Sequence, residues 1–350
     1  MRPRFTSKAL LLVVFSCLLL SCGRAGNGYE NPVILDKCPD PTVLDNRVRD
    51  GWIYLASTST SDMPDSDTTA MVMPVYRSRD MVHWELCGDG FRGIKPAWRT
   101  GADLWAPDLN YINGKYVVYY AMGVWRKIKD SGCGVAVADS PAGPYTDIGM
   151  LVDYPTTGVA NSIDPFFYDE GSHKYLFWGS INKESGIWAV ELSDDGLSLK
   201  PGAEILQVGN RKVEAVYIHK RGDWYYIFAS HGFCCDGANS TYHIVVARSA
   251  NLLGPYVGKD GKSFLDDDYD EVFLLNSPDS CFTGTGHNAE IFTDDAGQDW
   301  MPFHAYSKKI SYIWRSTLLE PVFWDEDGWP YVEDGHPHST HHKSPVIKKK

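Results

Sequence analysis

The sequence is short of three things. Past residue 21 it has no long stretch with apolar residues at helical spacing, which argues against a helical bundle. Its cysteines include no C-x-x-C pair or other zinc-type spacing, so zinc ribbons, zinc fingers and thioredoxin-like redox motifs are excluded. Lys and Arg number 33 against 45 Asp and Glu, for a formal charge of −12. A chain of that balance lacks the basic face that nucleic acid requires, and a neutral partner suits it better than a polyanion.

Aromatic residues and glycine are abundant. Among 350 residues there are 12 Trp, 20 Tyr and 32 Gly, a loading that favours strands and turns. The first residues, "MRPRFTSKALLLVVFSCLLLSC", place three cations before an apolar core of about a dozen residues, too short to cross a bilayer comfortably. Leu19-Leu20-Ser21-Cys22 ends it as a bacterial lipoprotein signal does, with cleavage before Cys22 and acylation of its thiol. Loss of Arg2, Arg4 and Lys8 then takes the formal charge from −12 to −15. Residues 1–21 are read as the signal, 22–31 as a flexible tether, 32–335 as one folded domain and 336–350 as a disordered tail. The lipid is the only membrane link expected, and it places the protein in the periplasm or at the outer membrane. Disulfides are permitted there. Adjacent Cys234 and Cys235 are expected not to join each other, because neighbouring residues fit ordinary disulfide geometry poorly.

One phrase is written five times. The copies are "DPTVLDNRVRDGWIYLAS" from Asp40, "APDLNYINGKYVVYYAMG" from Ala106, "DPFFYDEGSHKYLFWGS" from Asp164, "EAVYIHKRGDWYYIFAS" from Glu214 and "NAEIFTDDAGQDWMPFHAY" from Asn288. Their starts lie 66, 58, 50 and 74 residues apart. Each reads as a hairpin: a short apolar strand, a turn rich in Gly, Asp and Asn, and an aromatic strand returning. Further strand-like segments follow most copies, so the pattern is four strands per repeat and five repeats. That is an all-β, five-bladed β-propeller.

In a propeller the first strand of each blade runs beside the axis, so equivalent residues ring one mouth of the channel. The expected ring is Asp40, Ala106, Asp164, Glu214 and Asn288, three of them acids from three blades. Burial and like charge raise carboxyl pKa values and separate a proton-holding group from an ionised one. Two carboxyls on opposite faces of a sugar suit inverting glycoside hydrolysis, one activating water and the other protonating the leaving oxygen. Trp105, just before the second ring position, is a candidate stacking wall, with packing between blades as its other use. Asp108 and Glu290 sit two residues past the ring position, on the same strand face but deeper, and rank as rival carboxyls.

The motifs "CPDPTVL", "LWAPDLNY", "NSIDPFF" and "VEAVYIHKRGDWYYIFAS" resemble those of glycoside hydrolase family 43, over about residues 32–333. The resemblance implies Asp40 as general base, Asp164 as the group that raises and orients the acid, and Glu214 as general acid. Trp105 and Asn161 are the candidate substrate contacts. "FASHGFCCDGANSTYHIVVARSANLLGPYVGKDGKSF" and "GTGHNAEI" are similar to arabinan-cleaving members, and "GVAVADSPAGPYTDIGML" is closer to exo-acting ones. From those members His287 is implied near a metal, usually a structural calcium held largely through water, with no cofactor needed for the chemistry. The expected activity is cleavage of α-L-arabinofuranosyl linkages in neutral plant polysaccharide, endo or exo. A β-xylosidase of the same family and a non-catalytic glycan-binding propeller are the alternatives.

Overall fold

The computed structural model describes residues 28–60 and 70–348. The expected signal peptide, Cys22, the tether as far as residue 27 and residues 61–69 lie outside the described residues.

Each copy of the phrase supplies inner strands of an antiparallel sheet, and the five sheets are five blades. Blade one is Thr42–Asp45, Ile53–Ala56, Pro74–Ser78 and Trp84–Asp89. Blade two is Asp103–Ile112, Lys115–Gly123, Gly132–Ala138 and Thr146–Asp153. Blade three comprises Phe166–Asp169, Lys174–Trp178, Ile187–Leu192 and Leu206–Gly209; blade four comprises Val213–Arg221, Trp224–His231, His243–Ser249 and Val272–Leu274. In blade five, Phe282–Gly286 and Phe292–Thr293 both pair with Asp299–Ser307, followed by Arg315–Trp324 and Pro330–Tyr331. The turns follow from local chemistry. Asn113-Gly114, with φ of 49° and 85°, closes the inner hairpin of blade two, as a two-residue turn with both centres left-handed demands.

The aromatic runs are explained by burial on both faces. In Trp224–His231, Ile227 and Ala229 enter a cluster with Phe166, Phe177 and Tyr217 between blades three and four. Their neighbours Tyr226 and Phe228 enter another with Met301 and Phe303 between blades four and five. Alternate side chains therefore face different neighbours and both sets must be apolar. Among the described residues there are five such clusters, one at each junction between blades. A fully buried Phe in one of them contributes about 1.5–3 kcal/mol.

The ring is closed by the N-terminal segment. Val33 and Ile34 backbone N–H groups donate to the Thr317 carbonyl at 3.0 and 3.2 Å, and Cys38 donates to Arg315 at 3.0 Å. Tyr29 adds its hydroxyl to the Leu319 carbonyl at 2.6 Å. This carries the chain from blade five to Asp40 at the head of blade one.

Two boundaries differ from the sequence expectation. The last tether residues are docked: Gly28–Tyr29 pairs with His342–Lys343, and buried Asn31 donates to Glu320 Oε1 at 2.8 Å. The tail is ordered through residue 348, because its backbone finds partners in the blade-five turn. Val346 donates to Asp294 at 2.8 Å and Lys348 to Asp295 at 2.7 Å. The cysteine expectation is also corrected. Cys234 and Cys235 are joined in a vicinal disulfide, while Cys38, Cys87, Cys133 and Cys281 are free.

Candidate active site

Every inner strand begins with the same irregularity. One residue takes a left-handed φ: Asp40 (54°), Ala106 (42°), Asp164 (55°), Ala215 (56°) and His287 (45°). The register shows why. In blade two Trp105 opposes Ala121 and Asp108 opposes Tyr119, so two residues, Ala106 and Pro107, face one. In blade four Glu214 opposes Ser230 and Tyr217 opposes Phe228, with Ala215 and Val216 extra. Each is a β-bulge, which bends the strand and re-aims its side chains. Left-handed φ in a non-glycine residue costs about 1–3 kcal/mol, and here five such residues sit around one mouth.

The bulge corrects the ring. Its members are Asp40, Ala106, Asp164, Ala215 and His287, while Glu214 stands one residue before it and Asn288 one after. Blades one to three mark the bulge with Pro41, Pro107 and Pro165, whereas blades four and five carry Val216 and Asn288, so the phrase alone aligns one residue out. Glu214 is thereby the counterpart of Trp105, and the half-buried Trp105 ring lies against Gly123, where an added Cβ would meet it at 2.3 Å.

Asp40 is 7% exposed and held from several sides. Thr58 donates its hydroxyl to Oδ2 at 2.6 Å, and Arg315 Nη1 donates to Oδ1 at 2.9 Å. The Nδ1 atoms of His304 and His287 lie 3.1 and 3.3 Å from Oδ1. Burial alone raises its pKa, but the Arg315 charge, then His287 and His304, hold the carboxyl well below the usual range. Both imidazoles are neutral: burial pushes His287 down to about 4 and His304 down to about 3. Asp40 is therefore ionised at neutral pH.

The other two carboxyls shift the opposite way. Glu214 Oε1 accepts from Tyr242 Oη at 2.8 Å, and Oε2 accepts from the Ser180 hydroxyl and the Ile181 N–H. Burial raises its pKa against these hydrogen bonds, and the Asp40 charge adds to the rise. Asp164, 7% exposed, is raised well above the usual carboxylate range by burial, then by Glu214 and Asp40. Asp164 also accepts the backbone N–H of Ala215, which ties it to the residue beside Glu214. Burial thus favours the protonated form of Asp164 and Glu214, while Arg315 favours the ionised form of Asp40.

The remaining expected residues divide. Asn161 is half-buried, has a left-handed φ of 55°, and precedes Asp164 on the same loop; its N–H donates to Ile128 at 2.6 Å. Asp108 and Glu290 lie deeper and knit blades together. Asp108 accepts from Phe167 N–H at 2.7 Å and Asn110 at 2.9 Å, and Glu290 accepts from Val43 N–H at 3.1 Å. Burial pushes Asp108 up to about 6. Their bonds are structural.

For a calcium at His287 the side chains offer little. Its Nδ1 faces Asp40, and the side-chain amide oxygen Oδ1 of buried Asn288 next to it has no hydrogen-bond partner. Among the described residues no group of three His, Cys, Asp or Glu ligands includes His287. Calcium takes six to eight oxygens, so water would have to complete such a shell.

Sequence reasoning missed Arg315, His304, Thr58 and Tyr242. A signal for two of them existed: the register position opposite the residue before each bulge is Thr58, Ala121, Gly179, Ser230 and His304. Where blades two and three place Ala or Gly, the other three place polar groups, and all three reach the mouth. Ser230 Oγ accepts the His287 N–H at 2.8 Å.

The model of the family described as "Glycosyl hydrolases family 43" matches residues 29–330. The extracellular exo-α-(1→5)-L-arabinofuranosidase ArbA of Cellvibrio japonicus is 30% identical over 345 residues, covering 91% of this chain and 90% of its own. The extracellular endo-α-(1→5)-L-arabinanase 1 of Bacillus subtilis is 30% identical over 268 residues, covering 73% of this chain and 78% of its own. Among solved structures, α-L-arabinanase of Cellvibrio cellulosa, complexed with arabinohexaose, superposes with a TM-score of 0.73 at 26% identity, over 85% of this chain and 96% of that one.

Proposed function

The chain belongs to glycosyl hydrolases family 43, and on that premise we propose that it cleaves α-L-arabinofuranosyl linkages of arabinan with inversion. The observation that carries the reading is the unlike setting of carboxyls at one mouth. Asp40 is paired with Arg315, whereas buried Glu214 and Asp164 have no cation against them among the described residues and shift the opposite way. Asp40, kept ionised by Arg315, acts as general base and takes a proton from water as its oxygen attacks the anomeric carbon. Glu214, whose protonated form burial favours, delivers its proton to the leaving oxygen. Asp164, itself raised by burial and by Glu214, positions Glu214 through the Ala215 N–H. Trp105 gives the sugar an apolar wall, and Asn161 contacts it beside Asp164. The arabinan-acting relatives and the arabinohexaose bound by the Cellvibrio neighbour support this substrate class. Glu214→Gln is the test: hydrolysis of linear arabinan falls by at least about a thousandfold while arabino-oligosaccharide binding persists. Cleavage at the native rate would remove the acid assignment. Whether chain ends or interior linkages are cut is decided by whether the products are arabinose or mixed oligosaccharides.

We further propose export and a lipid anchor at Cys22, supported by the leader pattern and by the extracellular relatives. A structural calcium in the channel, near His287 and Asn288, completes the proposal, with no catalytic step routed through it.

A further inference from the structure

A cluster outside the mouth carries chemistry that the hydrolytic reading leaves unused. The second and third strands of blade four are joined by residues 232–242, the loop that holds the Cys234–Cys235 disulfide and Tyr242. The two residues at its neck, His231 and His243, pair directly across the strands. Asp270, from the connection to the fourth strand, reaches over both. His243 Nε2 is 2.7 Å from Asp270 Oδ1, and His231 Nδ1 is 3.2 Å from the same oxygen.

Hydrogen bonding satisfies this arrangement poorly while both rings are neutral. His243 Nδ1 is 3.0 Å from the Thr241 carbonyl, which only accepts, so Nδ1 carries the hydrogen. In the neutral ring Nε2 is then a lone pair aimed at a carboxylate oxygen. His231 Nδ1 is buried, and its 3.2 Å approach to Asp270 Oδ1 lacks the direction of a good hydrogen bond. One proton on His243 would repair one contact and leave His231 Nδ1 poorly aimed at Asp270. A metal cation repairs all three. The three donor atoms lie within 4.8 Å of one another, and a tetrahedral zinc with bonds of about 2.0–2.1 Å spaces its ligands about 3.3 Å apart. The Nδ1–H to carbonyl bond is also the outer contact that fixes the tautomer of a ligating histidine.

We propose that His231, His243 and Asp270 form a binding site for a borderline divalent metal of the zinc class, which clamps the neck of the 232–242 loop. Two imidazoles and one carboxylate select a first-row transition ion over calcium or magnesium, and leave a coordination position for water. Burial lowers the His231 pKa against the opposing pull of Asp270, which favours the neutral, ligating ring. The clamp lies one residue from Tyr242, which holds Glu214, so the metal would steady an acid-side contact without touching substrate. Binding of the ion does not depend on what the mouth hydrolyses.

The test uses the mature chain without a polyhistidine tag, stripped by chelator and titrated with zinc chloride against a chromophoric competitor. One equivalent binds with submicromolar affinity, and cobalt(II) in its place gives visible ligand-field bands. Asp270→Asn, a surface change, weakens zinc at least tenfold; His243→Gln abolishes the equivalent with the circular dichroism spectrum unchanged. His342→Gln alters the other histidine cluster, Glu320–His338–His342, and leaves the equivalent in place. Failure to bind one equivalent of zinc with submicromolar affinity overturns the proposal. So does an equivalent that survives His243→Gln or vanishes with His342→Gln.

Discussion

Replacing Arg315 by methionine removes the guanidinium that contacts Asp40 while keeping most of the side-chain volume. The bond is 2.9 Å long and both partners are largely shielded, with side-chain exposures of 16% and 9%. Unit charges about 4 Å apart at an effective dielectric of about 20 attract by about 4 kcal/mol, equivalent to about three pKa units. Aspartates beside arginines are lowered by about one to three. Without Arg315 the burial of Asp40 is opposed only by its neighbours' weaker contributions, so its pKa rises. A base whose pKa is depressed works at every pH above that value and fails as pH falls through it. The acid limb of kcat/KM therefore moves upward by about one to three units in Arg315→Met. Asp164 is also lowered slightly by Arg315, so the basic limb does not move down. The assay is a pH–rate profile on linear arabinan, beside a urea melt, because breaking a buried ion pair costs about 3–5 kcal/mol of stability. Arg315→Lys keeps the charge and an acid limb near that of wild type. An acid limb that stays put in folded Arg315→Met refutes the electrostatic reasoning.

Three further outcomes are expected. Tyr242→Phe removes a hydrogen bond that favours ionised Glu214, so the Glu214 pKa climbs and the basic limb shifts up by a fraction of a unit; a downward shift contradicts the assignment. Dialysis against a calcium chelator lowers the melting temperature but changes kcat by less than about twofold, because calcium is assigned a structural place only. In cells, Cys22→Ala releases the protein into the soluble fraction, and fractionation with membranes in both forms contradicts the lipid anchor.

The fold was legible because blades repeat. Aromatic strands buried on both faces and Gly/Asn turns recur at each copy, and the count of copies is the count of blades. The placement of Asp40 and Asp164 at the mouth was legible for the same reason, with Pro41 and Pro165 marking their bulges. Glu214 was expected at the bulge itself and stands one residue before it, because no proline marks the bulge at Ala215. What the sequence hid is what ring closure creates. His304 and Arg315 reach Asp40 across 264 and 275 residues, a meeting that exists only after blade five docks on blade one. The tail's order has the same origin, since its partners Asp294 and Asp295 belong to blade five. The Cys234–Cys235 bond was rejected on ordinary disulfide geometry, and neighbouring residues with a Cα–Cα distance of 3.8 Å fall outside that rule.

The account rests on Asp40 and Glu214 doing different jobs on opposite sides of one sugar. Its most direct measurement compares Asp40→Asn and Glu214→Gln on arabinan and on an aryl α-L-arabinofuranoside whose leaving group needs no proton. Glu214→Gln regains much of its activity on the aryl substrate and Asp40→Asn stays inactive on both. Recovery in Asp40→Asn, with Glu214→Gln inactive throughout, contradicts the account.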